Sequence, residues 1–231
     1  MSALSDEQIA RWRHDGFLSP FPLLSAAELQ ECRDGLARFE KWLGAPVNMI
    51  SASDELKWRT MPYLILPWAA RLARDPRILD VVEDLIGPDI LIFTSTFFIK
   101  EPHSPTIAAW HQDSTYYGLE PKEEVTVWVA LSEANEAAGC MDALSFHGKP
   151  RQLSHVSRVV KNSVNRASQV ITEPLDEGTP VAMPLPAGSF SMHHGLCPHR
   201  SGPNTANHRR IGLGMNFIPT SVRPVGTIKP A

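Results

Sequence analysis

Ile90-Leu91-Ile92-Phe93-Thr94-Ser95-Thr96-Phe97-Phe98-Ile99-Lys100 divides the chain in two. Isoleucine, threonine and phenylalanine dominate it. Such side chains lose rotamer freedom in a helix and pack well on a pleated surface, so the segment reads as a buried strand. Upstream, the signals are helical. Ser5 with Gln8 and Ser25 with Glu28 have the spacing of capping boxes. Leu29, Cys32, Leu36, Phe39 and Leu43 recur every three or four residues and form one apolar stripe that stops at Gly44. A third helix is expected from about Trp68 to Arg74. A fourth starts at Asp75-Pro76 and is stopped by Gly87-Pro88. Downstream, Val125–Leu131, Pro180–Pro184, Ser189–His193 and Arg210–Ile218 read as short strands punctuated by proline and glycine. Helices followed by many short strands predict a mainly β protein, an antiparallel jelly roll with helices packed on one face.

The 231 residues suffice for one sizeable domain. Residues 1–88 are expected to be mostly helical and 89–231 to form the jelly-roll core. The polar stretch at about 150–177 is expected to be an insertion over the barrel mouth. A formal net charge of −3 gives no reason to expect nucleic acid or an anionic membrane as partner. No apolar run approaches the length of a membrane span. Three cysteines, Cys32, Cys140 and Cys197, with no CxxC and a polar, acidic N-terminus, favour a reducing, cytoplasmic location.

His111 and Asp113 in Ala109-Trp110-His111-Gln112-Asp113 carry the chemistry. Residues two apart on a strand project from one face, which would aim an imidazole and a carboxylate at a common point. A second imidazole would complete the two-histidine, one-carboxylate set of mononuclear non-haem Fe(II) sites. His193, His194 and His199 compete for that place, and Cys197 would share the face of His199 on a strand. Arg209-Arg210 follows, and a guanidinium there would clamp a dicarboxylate beside the metal. Successive strand residues face opposite sides, so only one arginine of the pair can do so.

Trp110–Pro121, then Val127-Trp128-Val129-Ala130-Leu131 and Ala138-Gly139-Cys140-Met141, resemble the phytanoyl-CoA dioxygenase family. Pro198-His199-Arg200-Ser201-Gly202-Pro203-Asn204 and Arg209-Arg210 resemble that family's second signature. The resemblance runs from about Ile90 to Ser221. It implies a double-stranded β-helix of the cupin-like kind. It implies His111, Asp113 and His199 as iron ligands. Arg210, with the Ser201 hydroxyl, would bind the distal carboxylate of 2-oxoglutarate, and Trp128 would line that subsite. Tyr116 and Tyr117 would face a small-molecule substrate. The activity implied is Fe(II)- and 2-oxoglutarate-dependent oxidation of an unactivated C–H bond by O2, with release of succinate and CO2. Asp113 implies a hydroxylase, because halogenases of this family carry a small residue there. Two other classes use the same residues: a cupin-like metal hydrolase, and a non-catalytic metal- or 2-oxoglutarate-binding domain. The resemblance departs at Met141–Pro150, where many members carry a Pro-Gly-Ser-His turn.

Overall fold

A computed structural model describes residues 2–49, 58–163, 169–175 and 178–225. Helix α1 (Asp6–Asp15) and helix α2 (Ala26–Leu43) both open on the expected capping boxes. Ser25 Oγ accepts from the Glu28 N–H at 3.3 Å while the Glu28 carboxylate accepts from the Ser25 N–H at 2.7 Å. Both helices close on a left-handed glycine, Gly16 at φ 82° and Gly44 at φ 77°. Helix α3 (Pro67–Leu72) and helix α4 (Pro76–Ile86) follow, each with proline in its first turn. Among the described residues no helix is long and apolar enough to cross a membrane.

One element of the helical third departs from expectation. Phe17–Pro22 is a strand, β1, on the edge of the main sheet. Pro20 and Pro22 obscure it in the sequence, yet an edge strand tolerates residues that cannot donate to the ladder.

The remaining strands are β2 (Ile90–Lys100), β3 (Ala108–His111), β4 (Leu119–Glu120), β5 (Val125–Ala130), β6 (Met141–Ala143), β7 (His155–Ser157), β8 (Gln169–Ile171), β9 (Val181–Met183), β10 (Ser189–His194), β11 (His199–Ser201), β12 (Arg210–Pro219) and β13 (Arg223–Pro224). They build a five-stranded sheet, β1-β10-β5-β12-β2, and a four-stranded sheet, β3-β11-β6-β9, with antiparallel pairing throughout both. The predicted insertion at 150–177 contains the β7–β8 hairpin.

Strand alternation sorts the main sheet into two faces. Val125, Val127, Val129, Leu213, Met215, Phe217, Phe97 and Ile99 join one apolar core with Leu36 and Phe39 of α2 and Ile78, Val81 and Val82 of α4. The intervening residues Thr126, Trp128, Lys100, Arg210 and Asn216 point the other way and are also buried. The small sheet covers that second face. Lys100 reaches across to Ser201 on β11, and Arg210 reaches the Gly139 carbonyl just before β6. The space between the sheets is therefore a polar lumen inside a protein whose outer face supplies the core.

Candidate metal centre

Sheet register brings the two imidazoles together. His199 on β11 lies directly opposite His111 on β3, and their ring centroids are 4.1 Å apart. Each ring is fixed by its own backbone. His111 Nδ1 donates to the Ala109 carbonyl at 2.7 Å and His199 Nδ1 to the Cys197 carbonyl at 3.0 Å. With the proton held on Nδ1, each Nε2 keeps a free lone pair.

Asp113 arrives by a different route from the one its spacing suggests. Strand β3 ends at His111, and Asp113 has helical dihedrals, φ −63° and ψ −38°, at the start of the single-turn helix α5 (Ser114–Tyr117). The turn closes with the Thr115 N–H on Gln112 O and the Tyr116 N–H on Asp113 O. Strand alternation therefore does not place this carboxylate; the turn folds it back. Its Oδ1 lies 3.6 Å from both His111 Nε2 and His199 Nε2. One ligand atom from each of the three residues lies within 4.8 Å of the other two, leaving a gap the size of one divalent ion.

The other carboxylate oxygen is tied down. Asp113 Oδ2 accepts from Thr126 Oγ1 at 2.8 Å and from His193 Nε2 at 3.0 Å. Thr126 Oγ1 in turn accepts from Asn216 Nδ2 at 2.7 Å, which also donates to Glu124 Oε1 at 2.6 Å. Burial pushes the Glu124 carboxyl well above its usual range, and the nearby Asp113 charge adds to the push. For Asp113 itself burial works in the same direction. It is overcome by His199, by the His193 hydrogen bond and by His111, which hold the carboxyl well below its usual range. Burial pushes His111 down, and pushes His199 well down with help from His111 and His193. A carboxylate and two imidazoles that each present a free Nε2 lone pair make up the set, the donor chemistry that suits a ferrous ion.

The other candidates separate cleanly. His194 packs its ring against Trp12 and Phe146, and burial with His193 beside it pulls its pKa to about 4. The Cys197 thiol is buried and donates to the Leu144 carbonyl. Arg209 pairs with Glu40 at 2.8 Å and Glu101 at 3.0 Å. Arg210 lies in the lumen, 4% exposed, with Nη1 on the Gly139 carbonyl and a buried Nε that has no hydrogen-bond partner among the described residues. The Trp128 ring lies 5.4 Å from the Arg210 guanidinium. That ring rests over Gly212, where an added Cβ would meet it at 1.9 Å. Tyr116 sets its ring edge-on to His111 at 5.9 Å, and its hydroxyl accepts from the Gln169 N–H of β8. Tyr117 packs against Phe93 beside Leu119, Ile218 and Val222.

Three contributors went unread in the sequence. His193 was weighed only as a ligand, and it holds the ligand Asp113 instead. Gln112, between the two ligands, is 1% exposed; its amide spans Leu196 O, Arg151 O, the Leu153 N–H and Gln152, fastening the segment that leads into β7. Lys100 ends a strand, where lysine ordinarily meets water, yet it is 1% exposed. The Gly-Leu-Gly pattern at Gly212–Gly214 was the available signal for a ring lying on β12.

Comparison with known proteins places this geometry. A 26% identical relative, a probable alpha-ketoglutarate-dependent hypophosphite dioxygenase of Stutzerimonas stutzeri, aligns over 81% of this chain and 64% of its own length. A methylphosphonate hydroxylase of Gimesia maris is 22% identical over 94% of this chain and 81% of its own length. The chain spans about half the length of the phytanoyl-CoA dioxygenase domain-containing proteins it matches. Among solved structures, the non-heme monooxygenase ThoJ superposes with a TM-score of 0.80 at 29% identity, over 94% of this chain and 79% of that one. The model of the phytanoyl-CoA dioxygenase (PhyH) family matches residues 12–212, and the chain belongs to that family.

Proposed function

We infer that the chain is an Fe(II)- and 2-oxoglutarate-dependent oxygenase that oxidises an unactivated C–H bond of a small molecule, with release of succinate and CO2. The observation that carries this reading is the convergence of His111, Asp113 and His199 in the same lumen as a buried arginine that has no carboxylate partner among the described residues. A hydrolytic metal site has no use for such an arginine. Bound ferrous iron supplies dioxygen activation coupled to decarboxylation of the 2-oxo acid.

The residues divide the remaining work. His111, Asp113 and His199 hold the metal, with their orientation set by two backbone carbonyls, Thr126 and His193. One anionic and two neutral donors leave a divalent ion with residual positive charge, which suits chelation by a 2-oxo acid anion. Arg210 and Ser201 receive the distal carboxylate. The Trp128 ring forms a wall of that subsite and keeps water off the guanidinium. Tyr116, in contact with both His111 and the β7–β8 hairpin, stands on the substrate side. Asp113 fills the position that a halogenase would leave open, so the expected outcome is hydroxylation. Three buried free thiols support a reducing, cytoplasmic setting.

The test is spectroscopic and needs no substrate. A 2-oxo acid chelated to ferrous iron produces a visible charge-transfer band. Anaerobic addition of one equivalent of Fe(II) and then 2-oxoglutarate should raise that band in the wild-type protein. A metal-loaded protein that shows no band and no 2-oxoglutarate binding would overturn the reading. Succinate release across a panel that includes hypophosphite and methylphosphonate, the compounds named for two relatives, then addresses the substrate.

A further inference from the structure

Arg210 is not alone in the lumen. Lys100 is its direct cross-strand neighbour, on the same buried face of the main sheet. The two side chains are 1% and 4% exposed, and among the described residues neither lies within ion-pair distance of a carboxylate. Burying one unpaired cation is costly, and burying two side by side adds their mutual repulsion. Among the described residues the hydrogen-bond partners of both are neutral. Lys100 Nζ donates to Ser201 Oγ at 2.7 Å and to the Gly202 carbonyl, while Arg210 donates to the Gly139 carbonyl. Such an arrangement suits a site that receives an anion.

The Lys100–Ser201 contact has a direction. In the protonated form that would face a carboxylate, Lys100 only donates, so the Ser201 oxygen accepts and the serine's own hydrogen is left to donate elsewhere. Three donor groups from three strands, β2, β11 and β12, therefore share one end of the lumen: an ammonium, a hydroxyl and a guanidinium with a spare Nε. We propose that Lys100 is a second cationic contact for the co-substrate's distal carboxylate, which is held between Lys100, Ser201 and Arg210. The proposal rests on the reading of the site as a 2-oxoglutarate site and adds a residue that neither the resemblance nor the metal geometry supplies. Burial, with Arg210 beside it, draws the pKa of the Lys100 ammonium down to about 6.

The alternative role is a structural tie between β2 and the turn after β11. Calorimetric binding to the Fe(II)-loaded protein under anaerobic conditions separates the two. Two ligands are compared, 2-oxoglutarate and pyruvate, which share the chelating end and differ in the distal carboxylate. Wild-type preference for 2-oxoglutarate tests the underlying reading; its absence would sink that reading before any variant is made. Given that preference, Lys100→Met should weaken 2-oxoglutarate about 10- to 100-fold and leave pyruvate within about threefold. Lys100→Gln, which keeps a donor to Ser201 without the charge, should show the same split should the methionine variant fail to fold. Without ligand, Lys100→Met should melt at or above the wild-type temperature, because the cost of burying an ionisable amine has gone. Equal weakening of both acids, unchanged 2-oxoglutarate affinity, or a lower melting temperature with no split between the acids would each overturn the proposal.

Discussion

The two faces of the main sheet share every strand and almost nothing else. On the helix side, Leu213 is paired across the sheet with Val129 and Phe97, and Met215 with Val127; all five are 0% exposed. One residue along the same strands, Arg210 is paired with Lys100, Gly214 with Trp128, and Asn216 with Thr126. The first face removes apolar area from water, roughly 1.5–3 kcal/mol for each fully buried large side chain. The second holds charges and polar groups away from water, which by itself opposes folding. Period-two alternation thus lets one set of strands carry stability and chemistry on opposite sides, with the outer face offsetting the cost of the inner one. Substitutions on the two faces should therefore fail in different ways.

The sharpest break should come at Asp113. Asp113→Ala removes the carboxylate of the three-residue set and the acceptor for Thr126 and His193. Turnover should fall at least about a thousandfold, as expected when a reaction loses its metal. Iron affinity should fall and the 2-oxoglutarate charge-transfer band should weaken or shift, while circular dichroism stays native. A variant that keeps wild-type iron affinity, an unshifted band and wild-type turnover would remove Asp113 from the metal site.

On the opposite face, Leu213→Ala should leave the band and the 2-oxoglutarate affinity within about twofold of wild type but cost about 2–5 kcal/mol of stability, the usual range for a buried leucine. Denaturant unfolding reads the second number. A loss of affinity larger than the loss of stability would show that the two faces are coupled more closely than alternation implies.

What the sequence made legible follows the same division. Helices and strands marked by local periodicity, caps and proline–glycine stops were readable from Ser5 to Ile218, because those signals act over a few residues. The edge strand Phe17–Pro22 was not, since its reason for being a strand is β10, far away in sequence. Asp113 was identified with a mistaken local argument. Its spacing from His111 suits a strand, and the chain instead turns into α5. The distal imidazole could be chosen among His193, His194 and His199 only by resemblance, for register alone decides which ring meets His111. Lys100 was invisible because a lysine ending a strand ordinarily faces solvent, and only the pairing with Arg210 reveals that it does not.

Gly212 lies on the inner face of β12 and has a predicted effect on both properties. An added methyl would sit 1.9 Å from the Trp128 ring, which cannot retreat without leaving its place beside Arg210. Gly212→Ala should cost about 1–3 kcal/mol through overpacking, shift the Trp emission and weaken 2-oxoglutarate more than pyruvate. Equal loss for both acids would place the Trp128 ring outside the carboxylate subsite.

The smallest effect is also the most diagnostic, because one group should bend two pH profiles in opposite directions. With a value near 6, Lys100 is mostly neutral at pH 8 and must gain a proton to face a carboxylate; Arg210 and the Cys140 thiol are the other titratable groups that act on it. Binding then takes up a proton, so 2-oxoglutarate affinity should fall as pH rises above about 6, by up to about tenfold per unit. Stability runs the other way. The lysine's folded value lies below its ordinary 10.5, so between about 6 and 10.5 the unfolded chain binds the extra proton. The penalty of the buried ammonium is full below about 6 and is relieved as pH climbs through that window. Calorimetric titrations and thermal melts from pH 6.5 to 8.5 should give slopes of opposite sign in the wild type and neither slope in Lys100→Met. Profiles that keep both slopes in the variant would assign them to another group in the lumen and leave Lys100 charged throughout.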